Sequence, residues 1–161
     1  MGVVSRLHEA PLTPDQRLQR AAELARKKEA DRRAEEQKRR DRALLASYTS
    51  AQDIDAKLER TVAEGNAILK ALQERQAIAL ARKQQLAEEA EFFQKKPMPA
   101  ALKTSIREND AEVSGLQAAI EDRKSDLVAA QVRFAQEKQR YLMLIGNNKS
   151  GQTEPTPARP R

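Results

Sequence analysis

Residues 102–144 read LKTSIRENDAEVSGLQAAIEDRKSDLVAAQVRFAQEKQRYLML. Counting from Leu102 in alternating steps of four and three gives Leu102, Ile106, Asn109, Val113, Leu116, Ile120, Arg123, Leu127, Ala130, Phe134, Glu137, Tyr141 and Leu144. Most of these positions are apolar, and the residues between them are mainly polar or Ala. That is a heptad seam, the pattern that holds one stripe of a long helix against a partner helix.

Working back toward the N-terminus, Ile54, Leu58, Val62, Gly65, Leu69, Leu72, Ala79, Leu86, Ala90 and Phe93 repeat the same spacing, interrupted by Gln76 and Lys83. The spacing predicts a second helix over Ala51–Phe93. Between the two seams stands Lys95-Lys96-Pro97-Met98-Pro99. Pro97 disfavours the α region at Lys96, and Pro99 suits the first turn of a new helix. Two helices of similar length joined by a short turn pack antiparallel. A fold point near Pro97–Met98 pairs Phe93 with Leu102, Leu86 with Asn109, Lys83 with Val113, Leu69 with Leu127, Gly65 with Ala130 and Val62 with Phe134. In that register every polar seam residue meets an apolar one.

Thr13-Pro14-Asp15-Gln16 opens a further helix: Thr13 caps, Pro14 takes the first position, Gln16 completes a capping box, and Asp15 suits the positive end of the dipole. That helix runs through Arg17–Arg42 with Leu18 and Leu24 as its few large apolar residues. Pairs such as Glu23–Lys27 and Asp31–Glu35–Arg39 offer about 0.2–0.5 kcal/mol each where they attract, so it is expected to be solvated. Leu44, Leu45 and Tyr48 close it with an apolar cluster, and Thr49 and Ser50 offer caps for the next helix. Tyr48 reads as a packing residue at a structural corner. A shorter second stripe on the last helix, Val128, Val132, Ala135 and Leu142, invites a local three-helix cluster or a dimer.

The expected fold class is therefore all-α: an extended antiparallel helical hairpin (coiled coil) at 50–146 with its turn at 95–99, preceded by a charged helix at 13–48. Residues 1–12 are expected to be extended or disordered. The helix should end near Ile145-Gly146, with Gly146 past its last turn, and the Pro-, Gly- and Ser-containing tail at 147–161 should be disordered.

Composition agrees with long helices rather than a thick core. Of 161 residues, 34% are charged and 3% aromatic, with no Trp. The net charge of +6 raises the question of phosphate partners. Yet between Glu23 and Arg42 the cations alternate with Glu29, Asp31, Glu35, Glu36 and Asp41, so nucleic acid is the weaker expectation. The absence of Cys excludes disulfides, thiolate metal sites and cysteine nucleophiles. His8 is the single histidine and has no ligand or catalytic partner in the sequence. No phosphate-cradling glycine loop, Ser–His–Asp set or metal-ligand spacing is found, so no enzyme, catalytic residue, cofactor or metal is expected. No apolar run approaches the ~20 residues of a membrane span.

Arg40-Asp41-Arg42-Ala43-Leu44-Leu45-Ala46-Ser47-Tyr48-Thr49-Ser50 resembles a segment of a family of uncharacterised proteobacterial envelope proteins. Lys96-Pro97-Met98-Pro99-Ala100-Ala101-Leu102 is similar to that family's helix turn, and Phe134, Tyr141 and Leu142 to its closing stretch. Gly2 to Gln16 resembles the connector between the family's small N-terminal domain of unknown function and its coil. The resemblance implies no catalytic or binding residue. It implies a signal peptide and a strand-containing domain ahead of the coil, which are absent before Met1, so Met1 is expected to be a truncated or misassigned start. Periplasm follows if so, and cytoplasm if Met1 is the true start. The function expected is that of a structural or interaction protein, a scaffold or spacer at the cell envelope with a protein partner or a second copy (a homodimer). The competing expectation is binding of nucleic acid or an anionic membrane surface through residues 17–42.

Overall fold

The computed structural model describes residues 10–150, whose regular structure is all helical. The elements are α1 (Pro14–Ser47), α2 (Ala51–Glu91) and α3 (Ala100–Ser150), with no strand among the described residues. The chain divides into two units, Met1–Ser47 and Tyr48–Arg161.

The first unit is α1. Its start is the capping box: the Thr13 amide donates to Gln16 Oε1 at 3.0 Å, and the Gln16 amide to Thr13 Oγ1 at 3.3 Å. No residue of α1 is buried, and Leu18 and Leu24 remain 69% and 56% exposed. Local ion pairs lace its middle. Arg32 reaches Glu29 at 2.7 Å and Glu36 at 2.9 Å, Arg33 reaches Glu29 at 3.0 Å, and Lys38 reaches Glu35 at 3.4 Å. Glu23–Lys27 and Glu35–Arg39 are not among the ion pairs. Residues three and four apart have several possible partners on one helix face, and Glu35 selects Lys38.

In the second unit α2 and α3 pack antiparallel. All thirteen positions of the α3 seam are buried or half-buried, including the polar ones, Asn109, Arg123 and Glu137. The deepest side chains are Ile54, Ala79 and Leu86 from α2 and Leu116, Ile120, Phe134 and Tyr141 from α3. The start of α2 follows from Ser50, whose hydroxyl accepts from the Asp53 amide at 3.1 Å, while Asp53 Oδ2 accepts from the Thr49 amide at 3.3 Å. The first is the bond expected of a capping Ser; the carboxylate three residues on reaches back one residue beyond it, to Thr49 rather than to the Ser50 amide.

The pairing differs from the expected one by a seam step. Gly65 meets Leu127 rather than Ala130. Lys83 pairs with Asp110 at 3.6 Å, Gln76 bonds Gln117, and Lys138 reaches Asp55 at 2.8 Å. The cause lies in the turn. α2 stops at Glu91 instead of Phe93, and the amides of Phe92, Phe93 and Gln94 each bond three residues back, to Glu89, Ala90 and Glu91. That tightening moves the fold point toward the N-terminus of Pro97–Met98.

The far end of α3 also departs from expectation. The helix passes through Gly146 and reaches Ser150, so residues 147–150, expected to be disordered, are helical. A single interior glycine costs a helix only about 1 kcal/mol, and Gly146 lacks the positive φ of a terminating cap. Residues 1–9, including His8, and residues 151–161 lie outside the described residues.

Candidate functional site

Two polar clusters interrupt the apolar seam of the α2–α3 unit, and both bind the helices to each other. One lies at the start of α2. Tyr48 is 8% exposed, and its hydroxyl donates to Glu137 Oε2 at 2.8 Å. The Tyr141 hydroxyl donates to the Tyr48 carbonyl at 3.4 Å, and the two rings meet edge to face with centroids 6.4 Å apart. Lys57 Nζ stands 5.3 Å from the centre of the Tyr48 ring. Burial pushes the Tyr48 phenol up to about 12, and the hydrogen bond to Glu137 adds to the rise. A phenol so held stays protonated and donates; it is a poor general base and a good anchor. The expectation that Tyr48 packs agrees with this geometry. Its carboxylate partner was not foreseen, although Glu137 in a seam position was the available signal.

The second cluster lies midway along the pair. Asn109 is 6% exposed and donates from Nδ2 to the Ala79 carbonyl at 3.0 Å, while its Oδ1 is buried without a partner. Beside it Lys83 turns outward to Asp110. With the register shifted by one step, two polar seam residues share a level here, contrary to the expected pairing of each polar residue with an apolar one. The structure accommodates them by sending the ammonium to solvent and giving the amide a backbone acceptor. On one flank of this level opens a groove of about 570 Å³, lined among others by Gln76, Leu80, Lys83, Asp110, Val113 and Gln117. It is open, and Lys83, Asp110 and Glu121 line it together with Leu80 and Val113, an arrangement suited to a protein surface rather than to an enclosed small molecule.

The third feature is the set of exposed cations on α1. Arg32 and Arg33 together lower the pKa of the Glu29 carboxyl by hydrogen bonding, and Glu29 in turn raises that of Arg32. Among the described residues, Arg20, Arg26, Lys27, Lys28 and Arg39 enter none of the ion pairs. Among the described residues no group of three His, Cys, Asp or Glu side chains could hold a metal ion, and no helix is long and apolar enough to cross a membrane.

The chain matches no family model, no curated protein and no solved structure.

Proposed function

We propose that this is a non-enzymatic structural or interaction protein: an antiparallel coiled-coil hairpin that spaces or scaffolds protein partners. The observation that carries the reading is where the polar groups go. Asn109, Tyr141 and Tyr48, polar side chains deeply placed in the α2–α3 unit, bond across it, to the Ala79 carbonyl, the Tyr48 carbonyl and Glu137. They fix alignment instead of converging on a shared cavity. The 51 residues of α3 span roughly 75 Å, so α3 paired in fixed register with the 41 residues of α2 makes a stiff spacer. The resemblance of Arg40–Ser50 to envelope proteins supports a site of action at the bacterial cell envelope. Crosslinking followed by pull-down of the full chain from native envelope tests the reading. A discrete partner retained by the wild type, and lost when Phe134→Ala loosens the pair, supports it; recovery of the same proteins with an unrelated coiled coil overturns it.

A second reading rests on α1. Its cations outnumber its acids, and none of its residues is buried. In this reading Arg20, Arg26, Lys27, Lys28 and Arg39 bind nucleic acid or an anionic membrane surface. Such binding falls steeply with salt. Loss of affinity for duplex DNA or anionic vesicles on replacing Arg26, Lys27 and Lys28 by Gln supports it, and no binding at about 50 mM salt removes it.

A further inference from the structure

In a two-helix pair the outermost positions of each helix face water and carry most of the charge. α3 does not follow that rule in its C-terminal half. Its exposed large apolar residues are Val128, Val132, Leu142 and Met143, at 60%, 52%, 51% and 53% exposure, and all four lie within sixteen residues. Val128, Val132, Ala135, Gln139, Leu142 and Gly146 recur in steps of four and three, which places them in one stripe. None is charged, in a chain whose residues are 34% charged. The inner seam of α3 is meanwhile occupied by α2. α3 thus carries two heptad seams, and the outer one is uncovered within its unit.

We infer that the outer stripe of α3 binds a second copy of this chain, α3 against α3, antiparallel about Ala135. The spacing names a helix as the occupant, because steps of four and three hold a stripe against another helix along its length. The residues name this same helix. An antiparallel two-fold through Ala135 sets Val128 against Leu142, and the small Ala135 meets its own copy at the axis, where side chains have least room. Charge selects the direction. A parallel pair would set Glu121 against Glu121, whereas the antiparallel pair sets it opposite Lys149, at the far end of the same stripe. Burying single exposed apolar residues requires no partner; a stripe of this length at this spacing does. The inference rests on the interaction-protein reading in treating self-association as part of that role. A monomeric chain would overturn the dimer and leave the capture of other proteins to be judged by its own pull-down.

Sedimentation equilibrium of the full chain is the test, run from about 1 to 50 µM to bracket a micromolar dimer. The expected result is twice the 18.1 kDa chain mass at the upper end. Val132→Glu should raise the dissociation constant on the order of 10- to 100-fold with an unchanged helical circular dichroism signal, since the site is exposed. Because the chain has no cysteine, Ala135→Cys should form covalent dimers under mild oxidation. Val128→Cys should link to Leu142→Cys in a mixture and not to itself. A monomer throughout the range, an unaltered dimer in Val132→Glu, or self-linking of Val128→Cys in preference to the mixture would each overturn the arrangement.

Discussion

Glu137 accepts a hydrogen bond from the Tyr48 phenol at 2.8 Å, so a residue that precedes α2 is bonded to the C-terminal half of α3. Because burial first, and Glu137 second, raise the phenol to about 12, the folded state favours the neutral form. The resulting stability is fully present below the ordinary tyrosine value near 10 and is lost as pH rises through about 12. By pH 11.5 the loss should amount to about 2 kcal/mol for Tyr48. Denaturant unfolding followed at pH 8 and pH 11.5 should show it, and Tyr48→Phe, itself weaker by about 1–2 kcal/mol at pH 8, should flatten this contribution. An equal alkaline loss in the two proteins would place the titrating group elsewhere.

At Gly65 the close approach is decisive. A Cβ added there would fall against Leu127, whose Cγ would lie 3.1 Å away and one of whose methyls nearer still. In a free helix Gly→Ala gains about 1 kcal/mol. Here Gly65→Ala should instead destabilise by about 1–3 kcal/mol, because Leu127 must shift in a packed seam. Combining Gly65→Ala with Leu127→Ala should cost less than the sum of the two changes, a coupling readable from urea midpoints.

Asn109 exchanges stability for alignment. Its buried Oδ1 has no partner, so Asn109→Leu should raise the stability of the pair by about 1–2 kcal/mol. The same change should weaken the choice of register, as loss of a buried polar residue does in coiled coils. Cysteines at Gln76 and Gln117, whose side chains touch, should link within one chain in high yield, and the yield should fall with Asn109→Leu.

The two units should respond unequally to truncation. Phe134, 3% exposed, should cost about 3–5 kcal/mol as Ala. Arg33 has a side chain 75% exposed, and its replacement by Ala should change stability by less than about 0.5 kcal/mol. Comparable losses at both sites would mean that α1 is packed in solution.

The seam and the caps were legible in the sequence because each is a local pattern. The steps from Leu102 to Leu144 predict the covered face of α3, and Thr13–Gln16 and Ser50–Asp53 predict two helix starts. The register was not legible. Sliding one helix by a seam step leaves apolar stripes facing each other, so the pattern around Leu127 accepts either Leu69 or Gly65 opposite it. What decides between them is the residue at which α2 unwinds, and the tightened turns at Phe92–Gln94 carry no strong sequence signal. Gly146 misled for a related reason: glycine permits a helix to stop without requiring it. The Asn109 cluster followed from the register and was hidden with it.

Size is divided locally between the two helices. Gly65, Ala79 and Ala90 of α2 leave room for large residues of α3 such as Leu116, Leu127 and Phe134, whereas Ile54 and Leu86 of α2 fill space themselves. Tolerance to substitution should follow that local division. Enlarging Gly65 or Ala79 would force the backbones apart, and trimming Leu116 or Phe134 would open voids. A selection from a library randomised along both helices should return small side chains at Gly65 and Ala79 and bulky ones at Leu116 and Phe134, so that lineages diverge at the surface while keeping that division of size.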